Sequence, residues 1–462
     1  MFRGLGLATM KALQKAFSEV LSRYDLVRPG DRVLVALSGG ADSVALLLLF
    51  LGVAVELRLT IQAAHLDHAI RAESGRDADF VDRFCRKLGV SLSAERVDVP
   101  ALSAEARTGI EETAREARQK FLLRIAAAQD CPTIALGHHR GDQAETFLHR
   151  LVRGSGSSGL AGMALRSGAF IRPLLPFSRQ EILDFLGERG RSWVEDSSNS
   201  DPTYTRNRIR HQLLPLLGSF NPRIEEHLAR LSGRIALEED FWEKEAALRL
   251  EELGRPGEGG LRLDRKGLLA LHPALRARVL RAALSRVRGN LLGISAAHID
   301  AVEGLLASAS QAEAHLPGAW VGRRYGTLWL RSAAPSTPAS FCLTLSGPGT
   351  YRLPGAGDLR IGLTADAGEE SRDVVEFDPA QVLFPLRIRT FRPGDRFRPS
   401  GMAGSKKLKD FFIDAKVDRE ARQTQLLLEG EEILWVVGLR RCEGRRPATG
   451  EGPVLRAVLA NL

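Results

Sequence analysis

Between residues 31 and 150, short β-rich runs alternate with longer helical patterns, and no other feature of the chain restricts its fold so severely. That alternation reads as a parallel sheet with crossover helices, because parallel neighbours can be joined only by a connection that passes over a face of the sheet. Residues 32–37 (RVLVAL) are expected to form a buried first strand, 43–50 the helix after it, and 57–65 a second strand. A helix over 75–88, a strand over 91–97, a helix over 111–128, a strand over 133–136 and a helix starting near Asp142 complete a doubly wound α/β layout.

With 462 residues and about 150 per domain, roughly three folding units are expected, and the pattern places them at 1–220, 221–335 and 341–462. After Arg153 the chain turns Gly/Ser-rich (GSGSSGLAG) and then polar and basic as far as Pro215, which reads as a mobile loop and an extension of the first domain. From Asn221, whose Asn-Pro pair suits a helix start, an amphipathic pattern to about Leu253 opens a mainly helical second domain. Residues 273–287 and 295–307 supply further helices there, and 319–330 reads as a hairpin centred on Arg323, Arg324 and Tyr325. The segment 332–340 (SAAPSTPAS) reads as a linker into a small α+β domain of short strands and turns. That last domain carries a basic cluster of Arg387, Arg389, Arg392, Arg396, Arg398, Lys406, Lys407 and Lys409, offset nearby by Asp395 and Asp410.

Sixty-five Lys plus Arg against 56 Asp plus Glu leave a net charge of +9, which favours a polyanionic partner and equally fits ordinary solubility. Cys85, Cys131, Cys342 and Cys442 lie far apart with no C-x-x-C pair, so neither a zinc ribbon nor a disulfide framework is indicated and a reducing cytoplasm fits best. The longest apolar run, 44–55, is too short for a bilayer, where about 20 residues are needed, so no membrane association is expected. Lys11 and Lys15 interrupt the apolar N-terminal stretch 1–17, which argues against export.

The chemistry lies at residues 37–43, Leu-Ser-Gly-Gly-Ala-Asp-Ser, where the first strand hands over to the first helix. In an open α/β sheet ligands bind beyond the carboxyl ends of the strands. Gly39 and Gly40 let the backbone turn sharply and approach an anion, while Ser38, Ser43 and the helix N-terminal N–H groups can donate to phosphate oxygens, so a pyrophosphate fits this cradle. The alternative is a tight turn with Asp42 and Ser43 as helix caps. No Lys-Ser/Thr pair follows, so this is not a Walker A loop. A literal G-x-G-x-x-G at 154–159 follows a helix instead of a strand, which removes the dinucleotide context. His65, Asp67, His68, His138 and His139 do not have the spacing of a closed zinc site, since adjacent histidines along a strand end diverge.

Ser38 to Ser43 resembles the SGGxDS signature of PP-loop ATP pyrophosphatases, which implies an adenine nucleotide alpha-hydrolase-like fold and cleavage of ATP between its α and β phosphates. Residues 64–71 (AHLDHAIR) resemble that family's second-strand motif, 137–146 (GHHRGDQAET) its A-H-H-x-D-D-Q-x-E-T, and 153–162 its R-G-S-G-x-x-G-L-x-G loop. Together with 172–175 (RPLL), the run 196–199 (DSSN) through Tyr204, Arg206-Asn207, Arg210 and Pro215, and with 392–395 (RPGD), 406–409 (KKLK) and 435–438 (WVVG), these resemble the tRNA(Ile)-lysidine synthetases. Gly141 stands in place of the first acidic residue of the usual pair, Ala69 in place of a glycine, and Asp418 where a proline is common.

The resemblance implies a carbon–nitrogen ligase that adenylates the wobble cytidine of a CAU-anticodon isoleucine tRNA with ATP and then joins free L-lysine to it. It implies ATP contacts at Ser38, Gly39, Gly40, Ala41, Asp42, Ser43, His68 and His138, with Mg²⁺ on Asp42, and catalytic roles for Asp42, Asp142 and Glu145. Asp142 and Glu145 share a helix face and are expected to hold lysine's ammonium groups, the alternative being a helix capping box. Arg115 or Arg118 is expected on the lysine carboxylate or a phosphate, the alternative being ion pairs with Glu111 or Glu112. His68 and His138 have structural roles as their alternative, and His65 belongs to the core. Arg206, Arg208 and Arg210 are expected to flank the anticodon, and Arg392, Lys406, Lys407 and Lys409 to hold the tRNA body, unless these are solvated surface charges. A tRNA thiolase is disfavoured by the scattered cysteines, a non-catalytic RNA-binding protein by the intact signature, and the oligomeric state is left open, a homodimer included.

Overall fold

The computed structural model describes the chain except residues 1–2, 71–73, 195–204, 258, 309–310, 336–339, 355–356, 403, 418–423, 446–451 and 461–462. Two compact units emerge, Met1–Phe241 and Trp242–Leu462.

In the first unit the chain runs α1 (Arg3–Arg23), β1 (Arg32–Ala36), α2 (Ala41–Leu57), β2 (Thr60–Asp67), α3 (Ser74–Leu88), β3 (Ser91–Arg96), α4 (Val99–Ala106), α5 (Ile110–Ala128), β4 (Thr133–Ala135) and α6 (Arg140–Val152). It continues through α7 (Ser157–Leu160), β5 (Arg166–Ser167), β6 (Phe170–Ile171), α8 (Arg179–Glu188), α9 (Thr205–Arg208), a π-turn (Ile209–Leu213) and α10 (Leu214–Phe220) into α11 (Ile224–Leu253). The strands form one sheet in the order β3-β2-β1-β4-β6-β5, parallel except for the β5–β6 hairpin. The doubly wound layout expected from the alternation is therefore present.

Strand alternation explains the two layers. Successive side chains of β1 point to opposite faces, so Val33 and Val35 join a core with α1, α2, α3 and α8, while Leu34 joins one with Phe121, Leu122 and Ala126 of α5. Helix α2 is apolar on every side from Val44 to Phe50, where it is enclosed, and Phe17 of α1 meets Phe50 of α2 edge to face at 5.1 Å. Arg58 ends α2 in the left-handed conformation (φ 53°), returning its N–H to Ala54 and Val55.

The described residues of 153–215 extend the first domain as expected, but as regular elements instead of a mobile loop. The glycine-rich segment holds α7, the 166–171 hairpin adds two strands to the sheet, and α8 packs on the main core through Ile182, Phe185 and Leu186. Ser178 and Glu181 cap α8 reciprocally, a Ser-x-x-Glu signature present in the sequence. The DSSN run through Tyr204 lies outside the described residues.

The second unit opens with β7 (Gly254–Gly257), β8 (Gly260–Asp264), α12 (Arg265–Ala270), α13 (Pro273–Arg288), α14 (Ala296–Ala307), β9 (Ala312–Leu316), β10 (Ala319–Arg324) and β11 (Thr327–Arg331). The expected 319–330 hairpin is β10–β11, and it belongs to a five-stranded antiparallel sheet, β7-β8-β11-β10-β9, that packs with the helices around Leu263, Val279, Leu280 and Val321. A separate cluster around Phe377, Phe412 and Trp435 joins two further sheets built from strands between Cys342 and Ala460.

Candidate active site

A cleft of about 620 Å³ opens at the carboxyl ends of β1, β2 and β4. Its lining includes Ser38, Gly40, Ala41, Asp42, Ser43, His65, His68, Arg118, His138, Asp142, Arg179, Trp193 and Arg210. Ser38–Ser43, His68 and His138 reach it in the turns after β1, β2 and β4, which emerge at the same edge of the sheet, whereas Arg118, Arg179, Trp193 and Arg210 are brought there by other elements.

The 38–43 turn is built from its own side chains. Gly39 takes φ +90°, which only glycine adopts at no cost, and its carbonyl accepts the Val194 N–H at 3.0 Å. Ser43 Oγ donates to the Gly40 carbonyl (2.9 Å) and accepts the Ser38 N–H (3.2 Å), locking the turn against the start of α2. Gly40 is the N-cap of α2 without any side-chain cap, so neither Asp42 nor Ser43 caps the helix and its first N–H groups stay available to an anion. Gly137 lets the loop after β4 press on this turn, as a Cβ there would lie 3.1 Å from the Asp42 carbonyl carbon and the Ser43 nitrogen.

Asp42 has an asymmetric environment. Its Oδ2 meets Arg179 Nη1 at 3.2 Å, while Oδ1 is buried without a partner among the described residues. Burial holds this carboxyl above its ordinary pKa, against the lowering pull of His139 and Arg179. A hard divalent cation is what such an orphaned carboxylate oxygen suits, and Mg²⁺ is typically held by one or two carboxylates plus phosphate oxygens, so the residues present fit it.

Helix α6 begins at Arg140, two residues earlier than expected. His139 is its N-cap: the ring Nδ1 accepts the Gly141 N–H (3.0 Å), and Asp142 Oδ2 accepts the His139 N–H (2.9 Å) in return. The capping box thus involves His139 and Asp142, and Glu145 plays no part in it. The two histidines lie beyond β4 in the loop, not along the strand end as the spacing argument assumed. Although burial works to raise it, the Asp142 carboxyl is held below its ordinary pKa by His139, His138 and that backbone bond.

Arg206 and Arg210, expected on RNA, meet the carboxylates expected on lysine. Arg210 Nη2 bonds Asp142 Oδ1 (3.0 Å) and Glu145 Oε2 (2.9 Å), its Nε bonds Glu145 Oε1, and Arg206 Nε bonds Glu145 Oε2 (3.3 Å). Glu145 is 3% exposed under these guanidiniums and does not line the cleft, whereas Asp142 does. Arg208 is exposed. Of the two α5 arginines, Arg118 lines the cleft and Arg115 does not. Arg118 has no ion-pair partner among the described residues, so the pairing with Glu111 or Glu112 is not made.

His68 is pushed down to about 4, first by burial and then by Arg118, and is neutral at pH 7. Burial also lowers His138, and the Nδ1 atoms of both rings are buried without partners among the described residues. His65 Nδ1 is 2.8 Å from the Leu37 carbonyl, a core contact that ties β2 to the 38–43 turn. Among the described residues no group of three or more His, Cys, Asp or Glu is placed to hold a metal. Ala69, where a glycine was noted as usual, has φ +52°, which is the reason a glycine suits that position.

Gly154 to Gly162 is no nucleotide cradle. Its carbonyls at Gly159 and Gly162 accept from Arg150 Nη1 (2.6 and 3.1 Å), and Gln143 of α6 bonds both Met163 N–H (2.8 Å) and Met163 C=O (3.0 Å). Sequence reasoning missed Arg179 and gave no role to His139. The Ser178–Glu181 signature locates the helix that carries Arg179, but nothing local joins it to Asp42, 137 residues away.

In the basic cluster of the second unit, Arg392, Lys407 and Lys409 are exposed, but Lys406 is paired with Asp414, Arg389 with Asp395 (2.8 and 2.9 Å) and Arg387 with Glu431 (2.7 Å). The cluster is therefore neutralised more than its local sequence suggests.

Comparison with known proteins gives three family matches: a PP-loop domain over residues 9–217, a TilS substrate binding domain over 263–329 and a TilS substrate C-terminal domain over 386–455. The chain is 39% identical over 455 residues to the tRNA(Ile)-lysidine synthase of Geobacter sulfurreducens, covering 96% of each chain. It is 36% identical over 437 residues to that of Geobacillus kaustophilus, covering 91% of this chain and 93% of the relative. Among solved structures, a U34-tRNA thiolase from Methanococcus maripaludis aligns with 50% of this chain and 80% of its own at 18% identity and a TM-score of 0.44.

Proposed function

Because the chain belongs to the tRNA(Ile)-lysidine synthase family, as near full-length similarity at these identities establishes, we propose that the cleft performs both steps of lysidine formation on a CAU-anticodon isoleucine tRNA. The protein is an ATP-using ligase of the PP-loop type. In the first step the carbon-2 oxygen of the wobble cytidine attacks the α-phosphorus of ATP, and the bond to the β-phosphate oxygen breaks to release pyrophosphate. In the second, the unprotonated ε-amine of free L-lysine attacks carbon 2, and AMP departs with the oxygen.

The observation that carries this reading is the meeting, in one cleft, of an uncapped helix start, the orphaned Asp42 Oδ1 and the Asp142 carboxylate. Ser38, Gly39, Gly40, Ala41 and Ser43 cradle the β and γ phosphates on N–H and O–H donors, with His68 and His138 as neutral walls of the nucleotide pocket. Asp42 would hold Mg²⁺, which when bound neutralises charge growing on the leaving pyrophosphate. Asp142 receives a lysine ammonium group and Glu145 supports it through the shared Arg210, while Arg118, at the cleft wall and without an ion-pair partner among the described residues, suits the lysine carboxylate or a phosphate. Arg206, Arg208, Arg210, Arg392, Lys406, Lys407 and Lys409 are proposed tRNA contacts.

A thiolase reading is weaker. Cys85 and Cys131 of the first unit are buried in different hydrophobic clusters, and burial pushes Cys85 up to about 11, which removes it as a nucleophile. Among the described residues no helix is long and apolar enough to cross a membrane.

The test is direct: incubate the protein with bulk tRNA, ATP, Mg²⁺ and labelled lysine, digest the RNA and identify the labelled nucleoside. Label in lysidine supports the reading, and pyrophosphate release without lysine incorporation would point to a different acceptor.

A further inference from the structure

His139 is buried, with its side chain 4% exposed, and its ring stands between two carboxylates of the site. Nε2 is 4.0 Å from Asp42 Oδ2 and 3.7 Å from Asp142 Oδ2, too far for a hydrogen bond to either but close enough for its polar edge to act on both. The other ring nitrogen decides the tautomer. Nδ1 accepts the Gly141 N–H, so it carries no proton, and the ring's single proton lies on Nε2, the atom that faces the carboxylates.

Gly141 is what leaves room for this. A Cβ at that position would lie 2.8 Å from His139 Cε1 and 3.1 Å from Nδ1, so any side chain there displaces the ring. The departure at Gly141 and the placement of His139 are one structural feature.

From this geometry we infer that His139 is a positioning residue for the ligation: a tautomer-fixed spacer that keeps the Asp42 and Asp142 carboxylates apart and oriented for different substrates. With Asp42 Oδ2 turned toward Arg179 and the ring, Oδ1 is the oxygen left without a partner among the described residues. With Asp142 Oδ2 held by the His139 backbone and faced by the ring, Oδ1 is turned to Arg210 and the amine side. Without the ring, two carboxylates on adjoining turns are free to converge on one cation, and the distinction between phosphate side and amine side is lost. The inference rests on the proposed function for the identity of the substrates, but not for the arrangement of the ring.

Two variants separate positioning from capping. His139→Asn keeps a strong N-cap acceptor while removing the Nε2–H, so it is expected to melt with the parent yet lose about ten- to a hundredfold in the adenylation kcat, with the KM for tRNA unchanged. His139→Gln keeps an amide N–H near the ε position while weakening the cap, so it is expected to melt lower and regain part of that kcat. On the resting, ¹⁵N-labelled full chain, the His139 ring should appear in NMR as the neutral Nε2–H form, identified by its loss in His139→Asn, and Gly141→Ala should shift it. Parental kcat in His139→Asn would reduce the ring to a helix cap, and a protonated Nδ1 in the parent would overturn the arrangement. The NMR readout needs no tRNA, so it stands apart from a failure of the parent to adenylate tRNA, which would count against the functional reading instead.

Discussion

Asp42 lines the cleft and Glu145 is buried behind it, and the roles proposed for them differ with these surroundings. Asp42→Asn preserves size and the contact side toward Arg179 but removes the charge at the buried, partnerless Oδ1. The folded variant should release no pyrophosphate from ATP in the presence of tRNA, and near-normal release would sink the assignment. Glu145→Gln loses charge-assisted bonds to Arg206 and Arg210, each worth about 1.5–3 kcal/mol, and leaves Arg210 to Asp142 alone. Lysine then competes with a freed guanidinium for Asp142. Adenylated tRNA should accumulate and the apparent KM for lysine should rise about tenfold or more, and unchanged lysine use would leave Glu145 a structural partner of the arginines. One local motif carries Asp42 and another carries Asp142 and Glu145, while Arg179 reaches Asp42 from 137 residues away and Arg210 reaches Asp142 from 68.

At the level of elements, the π-turn Ile209–Leu213 is the means by which Arg210 reaches both carboxylates of α6. Its wider ring is a common feature of functional sites. Buried Ile209 and Leu214 anchor the turn against Ala144 and Leu148 of α6, so the arginine is placed by packing and not by local sequence. Arg210→Ala would leave Glu145 buried with Arg206 as its remaining partner, a loss on the order of 2–3 kcal/mol. Thermal denaturation should show a clearly lower Tm, with Arg210→Lys in between because it restores the charge without the fork. In the second unit, the Arg392 to Asp395 turn depends on a depressed carboxyl: burial raises Asp395, but bonds from Arg389 and the Arg392 N–H hold it below its ordinary 3.8. A folded-state pKa below the unfolded one stabilises above 3.8 and is lost as pH falls through the depressed value, so this turn should fail in acid. Asp395→Asn should lower stability at neutral pH and flatten its decline between about pH 5 and 2; an unchanged acid profile would show the pair to be energetically silent.

For the whole molecule, the question is how a cleft in one unit and a basic surface in the other act on a long RNA. Lys407 and Lys409 are exposed, whereas Lys406 is held by Asp414. Replacing Lys407 and Lys409 with alanine should weaken tRNA binding and reduce the slope of log affinity against log salt by about 0.7–0.9 per lost phosphate contact, with ATP binding unchanged. Lys406→Ala should add less to that slope than either. An unchanged slope would make these lysines plain surface charges, and equal losses on a minimal anticodon stem-loop would place them near the reacting base.

The sequence by itself determined the parallel sheet, the position of the 38–43 turn and the shared helix face of Asp142 and Glu145, because a hydrophobic period, a glycine pair and an i, i+3 spacing are properties of neighbours in the chain. It did not disclose that residues 157–188 are built into the sheet and core, since two-residue strands and a four-residue helix carry no period of their own. Nor did it disclose that Arg206 and Arg210 cover Glu145, that Arg118 and not Arg115 faces the cleft, or that Gly141 makes room for His139 between two carboxylates. Those are pairings across long loops and choices of helix face and ring orientation, and they are decided only when packing fixes which side chains are close enough for charge and hydrogen bonding to act.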